Sequence, residues 1–208
     1  TAFQRIADAF GGGDSEQISD FFEPQTYCES SMDEKEEWQL EGKGSGTWKF
    51  KNGQMCRKAN NRVGFAFSQC AQSEAMKDPE DYVIHLGNVV LNKGEGYGTM
   101  FRVQNYDSKP SGYAFENDPE VEGIVFRKWV NGYAVWKPLA YLPLEGYPWY
   151  GIPRDVEIHV KGKTMEAYID GKLMLSAKDD SYSSGGVGVF NAGKSEVCFD
   201  EFSISEID

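Results

Sequence analysis

The chain has 208 residues, of which 40% are hydrophobic and 26% are charged, and this composition is typical of a globular domain rather than of a disordered chain. Its formal net charge of −12 leaves no basic surplus to neutralise phosphates, which argues against nucleic acid and anionic membranes as partners. No run of about 18 apolar residues is present, so membrane insertion is not expected.

The first 17 residues are predicted to form an appendage. Apolar residues at positions 3, 6, 7 and 10 have helical spacing, and three glycines at 11–13 stop the pattern. Residues 1–17 are therefore interpreted as a helical appendage with a Gly-rich linker, and residues 18–208 as one domain. The start at Thr1 rather than Met, without a signal peptide, predicts a mature or excised piece of a longer protein.

Beyond the appendage, short alternating apolar runs separated by turn signals predict eleven or twelve β-strands. Asn-Gly pairs at 52–53 and 131–132 predict tight hairpins. In the strand predicted at 97–104, Thr99, Phe101 and Val103 share one face and Met100, Arg102 and Gln104 the other. Residues 138–153 are rich in proline and aromatic residues and are interpreted as a long irregular loop, whereas 197–204 is predicted as a single strand. The number and spacing of strands predict an all-β, two-sheet antiparallel jelly-roll β-sandwich.

The four cysteines, Cys28, Cys56, Cys70 and Cys198, contain no C-x-x-C motif and are too widely spaced for a metal knuckle. Four cysteines allow three pairings. The sequence chooses neither among these pairings nor between two disulfides and four buried thiols.

Three stretches carry a family resemblance. They are G-Y-G-T-M-F-R-V-Q-N at 96–105, V-F-R-K-W-V-N-G-Y at 125–133, and the later run through Y-I-D-G-K-L, G-G-V-G-V and F-D-E-F-S-I. Together they resemble concanavalin A-like (laminin-G-like) jelly rolls, of the kind found as carbohydrate-binding modules of secreted glycosidases. The resemblance covers roughly residues 19–204 and implies an extracellular or cell-surface location. This fold hosts lectins, adhesion modules, glycosidases and lyases, so the resemblance specifies the fold more closely than the function.

The resemblance also implies a structural Ca²⁺ where the first strand meets the last. The matching positions are Glu23 in D-F-F-E and Asp200 in F-D-E-F. Carboxylate oxygens completed by backbone carbonyls are ligands that Ca²⁺ prefers. The alternative is that Asp200 is an ordinary outward residue on an alternating strand.

A catalytic motif is suggested at 116–120. Glu116-Asn117-Asp118-Pro119-Glu120 has the E-x-D-x-E spacing that the resembling glucanases carry on a strand, where two glutamates serve as nucleophile and acid. Because Pro119 removes a donor from the middle of the strand and N-D-P is a turn signal, the segment is interpreted as an acidic loop. Glu116 and Glu120 remain the catalytic candidates, since the two histidines, His85 and His159, form no recognisable triad.

A binding patch is predicted on the concave sheet. Arg102, Glu116, Arg127 and Trp129 lie on successive predicted strands, and alternation turns them away from the core. A Trp ring can stack on the apolar face of a sugar while Arg and Glu bond its hydroxyls or a carboxylate. The alternative is a solvated sheet face with an ordinary cross-strand Arg–Glu pair. Trp149, between two other aromatic residues in G-Y-P-W-Y-G-I-P, is a second candidate, either as a ligand rim or as a plug of the sandwich.

These observations predict a non-catalytic, extracellular, lectin-like module that binds a glycan on the concave sheet and is stabilised by Ca²⁺. Two alternatives stay open. One is a glycoside hydrolase or polysaccharide lyase of the same fold. The other is a protein-binding adhesion module of a surface assembly, in which the helical residues 1–10 would continue a helix of a larger multidomain parent.

Overall fold

The computed structural model describes residues 25–43, 47–58, 60–72 and 81–207, which form two antiparallel sheets. The strands are β1 (Thr26–Glu29), β2 (Trp38–Glu41), β3 (Trp48–Lys51), β4 (Gln54–Arg57), β5 (Gly64–Ser68), β6 (Tyr82–Lys93), β7 (Tyr97–Val103), β8 (Gly112–Asp118), β9 (Gly123–Val130), β10 (Tyr133–Ala134), β11 (Ala140–Pro143), β12 (Arg154–Lys161), β13 (Thr164–Ile169), β14 (Lys172–Lys178), β15 (Gly186–Asn191), β16 (Glu196–Phe199) and β17 (Glu201–Ser205). Short 3₁₀ helices cover Lys35–Glu37, Cys70–Gln72 and Pro119–Val121.

One sheet has nine strands in the order β14-β13-β12-β6-β16-β4-β3, with β17 also on β6 and β1 on β17. The other has eight in the order β10-β9-β8-β7-β15-β5-β2, with β11 also on β9. The predicted two-sheet jelly roll is therefore confirmed. The predicted helical appendage (1–17) and the predicted first strand (18–23) lie outside the described residues.

The Asn-Gly hairpins form as predicted. Asn52 and Gly53 join β3 to β4, and Asn131 and Gly132 join β9 to β10. All four have positive φ angles, between 51° and 82°. Two consecutive residues with positive φ twist the turn to match the strands, and Asn and Gly tolerate this conformation best.

The main core lies between the two sheets and consists of residues at alternate strand positions. From β6 it takes Ile84 and Leu86, and from β8 it takes Tyr113 and Phe115, all of them fully buried. Along β6 the alternation restarts after Asn88, whose φ of 50° marks a bulge, so that Val89 points inward after Leu86. A β-bulge adds one residue and so resets which side chains face the core.

A second bulge overturns the predicted faces of β7. Gly186 and Gly188 of β15 pair with Val103 and Met100, which leaves Phe101 and Arg102 opposite a single residue. Arg102 has a φ of 50°, and beyond it the alternation is reversed. Val103 packs with Met100 on the outer face rather than with Phe101 in the core. The expectation that Val103 and Arg102 follow simple alternation was wrong, because the extra residue belongs to the pairing with β15.

Two other segments differ from the sequence interpretation. The loop predicted at 138–153 contains β11, which pairs with β9 through main-chain contacts that need no apolar pattern. The strand predicted at 197–204 is divided into β16 and β17 at Asp200. Strand β16 pairs with β6 beyond Asn88 and β17 pairs with it before Asn88, so the division matches the β6 bulge.

All four cysteines form disulfides. Cys28–Cys70 joins β1 of the nine-stranded sheet to the 3₁₀ helix that follows β5 of the other sheet. Cys56–Cys198 links β4 to β16, where the two residues are cross-strand partners. The bonds close segments of 42 and 142 residues, and loops of these lengths stabilise a fold by about 4 and 5 kcal/mol in the chain-entropy account. Within the described part of the chain, no helix has the length and apolarity needed to cross a membrane.

Candidate functional site

The outer face of the eight-stranded sheet carries a second hydrophobic group, here called the outer cluster. Its buried members are Phe65, Phe67, Met100, Val103, Ala114, Trp129 and Phe190, with Tyr106 packed against them. Two glycines let the rings lie flat on the sheet. A Cβ on Gly98 would stand 2.4 Å from the Phe190 ring, and a Cβ on Gly188 would stand 2.6 Å from the Phe67 ring. The packing of the outer cluster therefore requires glycine at positions 98 and 188 as well as aromatic side chains around them.

Glu116 ties the outer cluster to a charge pair. The Trp129 indole Nε1–H donates to Oε1 of Glu116 at 2.9 Å. The Nε–H of Arg127 donates to Oε2 at 3.1 Å. The Trp129 ring also makes edge contacts with Phe190 and Phe65, with centroids 5.2 and 6.0 Å apart. One carboxylate thus fixes the orientation of both the indole and the guanidinium.

Burial raises the pKa of Glu116 to about 7, from an ordinary value of 4.5. The hydrogen bond from Trp129 and the positive charge of Arg127 oppose this shift, while the neighbouring Asp118 adds to it. Desolvation is the dominant cause, since the Glu116 residue is only 8% exposed. Glu116 therefore changes its charge near neutral pH.

A cavity opens beside Trp129, at the end of the sheet where β9 turns into β10. It has a volume of about 450 Å³ and is here called the Trp129 cavity. Its lining combines aromatic, cationic and small polar residues: Gly42, Lys43, Arg62, Val63, Phe65, Ser108, Lys109, Trp129, Asn131, Gly132 and Tyr133. The volume lies within the range of roughly 300–1,000 Å³ that ligand sites usually have.

Main-chain contacts build one wall of this cavity. The N–H of Asn131 donates to the Ser111 hydroxyl at 2.9 Å, and the N–H of Gly132 donates to the Pro110 carbonyl at 2.8 Å. The β9–β10 turn is thereby fixed against the 104–111 loop. A Cβ on Gly132 would stand 2.8 Å from Cα of Lys109, so this close approach also requires glycine.

Two aromatic side chains in and after the β9–β10 turn are exposed. Tyr133 is 75% exposed and lines it, and Trp136, three residues further on, is 93% exposed. The Trp136 carbonyl accepts a hydrogen bond of 3.3 Å from Nη1 of Arg127, which places its backbone beside the Glu116–Arg127 pair.

Of the residues predicted to form a patch, the structure brings together Glu116, Arg127 and Trp129 and separates Arg102 from them. Because of the β7 bulge, Arg102 is buried, and its Nη1 donates to the Tyr182 carbonyl at 3.1 Å. It lines a different, smaller cavity of about 150 Å³ with residues that include Lys163.

Trp149 also lies apart from the Trp129 cavity. It is partly buried against the main core, and its ring centroid is 4.7 Å from that of Tyr147. The Arg154 guanidinium covers the Tyr147 ring at 4.9 Å, and the Tyr150 hydroxyl donates to the Gly94 carbonyl at 2.9 Å. These contacts hold the 147–150 segment on the sandwich.

The two catalytic candidates lie on different elements. Glu116 is buried on β8, whereas Glu120 is exposed on the Pro119–Val121 3₁₀ helix beyond the end of that strand. Asp118 caps this helix, because its Oδ1 accepts from the backbone N–H groups of Glu120 and Val121. The E-x-D-x-E spacing is therefore divided between a strand and a turn.

The described geometry does not test the predicted calcium ligands. Glu23 lies outside the described residues. Oδ1 of Asp200 accepts a hydrogen bond of 2.7 Å from Nε2 of Gln54. Within residues 25–43, 47–58, 60–72 and 81–207, no group of three or more His, Cys, Asp or Glu side chains is positioned to hold a metal ion. A single described carboxylate is a small part of the six to eight oxygens that Ca²⁺ takes, so the calcium site stays a prediction.

Sequence reasoning missed most of the cavity lining. Phe65, Lys43, Arg62 and Lys109 come from three separate parts of the chain, and no local pattern links them. Tyr133 could have been found, because it follows the Asn-Gly turn that was recognised, and it lines the same cavity as Trp129.

No protein-family model and no curated protein matches this sequence. Solved structures do match. The carbohydrate-binding module CBM66 from Bacillus subtilis has a TM-score of 0.63 and 19% identity, over 82% of this chain and 96% of that one. The carbohydrate recognition domain of Emp47p has a TM-score of 0.62 and 14% identity, over 94% and 99%.

A β-1,3-1,4-glucanase (lichenase) derived from a mouse hindgut metagenome matches equally well. Its TM-score is 0.62 at 11% identity, over 88% of this chain and all of that chain (100%). Binding modules and an enzyme thus share this architecture, and at these identities the likeness concerns the fold alone. The chain has the concanavalin A-like jelly-roll fold that its sequence predicted.

Proposed function

We propose that this protein is a non-catalytic carbohydrate-binding module that holds a glycan in the Trp129 cavity and against the neighbouring exposed rings. The observation that carries the proposal is the lining of that cavity, where Trp129, Phe65 and Tyr133 stand beside amide, hydroxyl and cationic groups. Aromatic faces stack on the apolar C–H faces of sugars, and the polar groups donate to sugar hydroxyls.

The exposed rings extend the site. Tyr133 lines the cavity, and Trp136 follows it by three residues in the chain segment that runs along the β9 edge of the sheet. Buried Trp129 forms a fixed wall, oriented by Glu116, whereas Tyr133 and Trp136 offer free faces for further sugar units. In this arrangement Trp129 orients the glycan, and the two exposed rings stack on its sugar units.

The solved structures support this proposal by analogy. Two of the three matches described above are named as carbohydrate-binding or carbohydrate-recognition domains. An extracellular location belongs to the same proposal, and the two disulfides support it because such bonds persist in oxidising compartments. Calcium binding near Glu23 and Asp200 is part of the proposal as well, and chelation tests it.

A hydrolase of the same fold is the second candidate, because a Glu with a pKa near 7 can act as a general acid. The geometry of Glu116 favours binding instead. Both of its oxygens accept hydrogen bonds from Trp129 and Arg127. Glycoside hydrolysis needs a second carboxyl group across the scissile bond, at about 5–9 Å. Glu120 lies on an exposed turn beyond the end of the strand that carries Glu116.

The test is a glycan and polysaccharide array on the purified chain, with and without EDTA, followed by calorimetry and a reducing-sugar assay on the glycans that bind. We expect binding without turnover, and a loss of affinity in both Tyr133→Ala and Trp136→Ala. Leu173→Ala is the matched control, since it removes an exposed apolar side chain from β14 of the opposite sheet. Absence of binding to every glycan, or unchanged affinity in both aromatic variants, would overturn the proposal.

A further inference from the structure

The Trp129 cavity has a charge opposite to that of the molecule. The chain carries 33 acidic and 21 basic residues, and its net charge is −12. The cavity lining nevertheless contains three cationic side chains, Lys43, Arg62 and Lys109, and no carboxylate among the described residues. These cations come from the segment after β2, the segment before β5 and the 104–111 loop, so the fold brings them together.

The nearest acidic residues along the chain are engaged elsewhere. Glu41 Oε1 accepts a hydrogen bond of 3.3 Å from Nε2 of Gln39. Asp107 Oδ1 accepts from the backbone N–H of Lys109 at 2.6 Å and from Nδ2 of Asn105 at 2.8 Å, and so stabilises the loop. Neither carboxylate lines the cavity, and within the described part of the chain no ion pair involves the three cations.

Three like charges around one cavity repel each other, and a cleft lined by one sign of charge attracts ions of the other sign. Lys and Arg also make charge-assisted hydrogen bonds to carboxylate and sulfate oxygens that are stronger than bonds to neutral hydroxyls. The aromatic rings in the same lining suit a sugar ring rather than a bare inorganic anion.

We infer that the glycan bound in the Trp129 cavity is anionic, a polysaccharide or oligosaccharide whose sugar units carry carboxylate or sulfate groups. This inference rests on the proposed function and adds the chemical class of the ligand. The cations contact the acidic group, and Trp129, Phe65 and Tyr133 pack against the sugar ring. Neutral glycans of the same backbone gain the ring contacts but not the charge-assisted bonds, and bind more weakly.

The first arm of the test compares polymers that differ in charge. Calorimetry is run with polygalacturonate and with its fully methyl-esterified form, and then with sulfated carrageenan and with neutral agarose. The first pair probes a carboxylate ligand and the second a sulfate ligand. We expect one acidic polymer to bind at least about tenfold more tightly than its neutral counterpart, and less tightly as salt is raised from 50 to about 500 mM.

The second arm removes the cations. The variant Lys43→Gln/Arg62→Gln/Lys109→Gln is expected to bind the acidic polymer about 10- to 100-fold more weakly. Its matched control is Lys161→Gln/Lys172→Gln/Lys178→Gln, which removes the same charge from exposed residues of β12 and β14 on the other sheet. The control is expected to bind as the parent does, and thermal unfolding confirms that both variants fold.

The outcomes separate the two proposals. Equal affinity for the charged and neutral members of both pairs, together with full affinity in the cation variant, overturns the anionic ligand and leaves the carbohydrate-binding module intact. An equal loss in the cation variant and in its control overturns the anionic ligand too, since net charge alone would then explain the effect. No binding to any glycan overturns the proposed function itself.

Discussion

The two faces of the eight-stranded sheet both carry aromatic clusters, but they are built differently. On the inner face, side chains at alternate positions, such as Phe115 and Phe126, belong to the main apolar core between the sheets. On the outer face, Phe190 and Phe67 lie over glycines, and the indole of Trp129 donates to the carboxylate of Glu116. The inner face thus specifies the fold, whereas the outer face couples its packing to a titratable group and to an open cavity.

The inner cluster should give the largest effect on stability. Phe115→Ala removes a fully buried ring whose centroid is 5.4 Å from that of Phe126, and we expect the free energy of unfolding to fall by about 3–5 kcal/mol. Urea unfolding followed by Trp fluorescence measures the loss. Phe115→Leu, which keeps more of the volume, should lose less. A loss below about 1 kcal/mol for the Ala variant would mean that the two sheets repack, and that the inner face is less specific than described here.

The contribution of the outer cluster to the free energy of unfolding should depend on pH. The pKa of Glu116 is raised to about 7 in the folded chain from 4.5, so its neutral form is favoured by folding. Its contribution to stability is fully present below pH 4.5 and is lost as the pH rises through about 7, which amounts to roughly 3 kcal/mol. Glu116→Gln, which stays neutral, should therefore become more stable relative to the parent as the pH rises.

Chemical unfolding of both chains between pH 4 and pH 8 measures this difference. Arg127, Trp129 and Asp118 are the groups that act on the Glu116 carboxyl, and they are unchanged in the variant. A parent–variant difference that is constant across the range would show that Glu116 does not titrate there.

Two buried Trp residues differ in the charge of the group that accepts their indole hydrogen bond. Trp129 donates its indole N–H to the Glu116 carboxylate, and Trp38 donates to the neutral Ser31 carbonyl. Trp129→Phe should cost about 1.5–3 kcal/mol above pH 7, where the acceptor is ionised, and less at pH 5. Trp38→Phe should cost a similar amount at both pH values. Denaturant unfolding at the two pH values checks this, and an equal pH response in both variants would contradict it.

The smallest effect on stability is expected at the open edge of the cavity. Tyr133→Ala removes a ring that is 75% exposed, so the free energy of unfolding should change by less than about 0.5 kcal/mol. Glycan affinity should nevertheless fall about tenfold, the cost of one stacking contact. Calorimetry and thermal unfolding on the same sample separate the two quantities. A variant that loses stability but keeps its affinity would assign Tyr133 to the fold instead of the site.

Local sequence signals predicted the parts of the fold that depend on local geometry. The Asn-Gly pairs at 52–53 and 131–132 gave the correct hairpins, because positive φ at two successive residues is a property of those residues. Arg102 was misplaced because the bulge at this position exists only in the pairing with β15.

The candidate site was predicted less completely than the fold. Glu116, Arg127 and Trp129 were grouped correctly, because β8 and β9 are neighbours along the chain as well as in the sheet. The cations of the cavity were not found, since Lys43, Arg62 and Lys109 meet only after β2, β5 and the β7–β8 hairpin have taken their places in the sheet. Which loops come together is determined by the tertiary fold, so the periodicity of the strands does not predict it.

The position of residues 196–205 has a consequence for the order in which the domain assembles. Strand β16 lies between β6 and β4, and β17 lies between β6 and β1, so strands made early are joined to β6 only through strands made late. During synthesis, the β3–β4 hairpin must therefore wait with an unpaired edge until about 140 further residues have been added, and β1 must wait for about 175. Such edges are templates for pairing with other chains. Nascent chains of this protein are accordingly expected to depend on chaperones until the last strands are inserted, and Cys56 can reach its partner only at that stage.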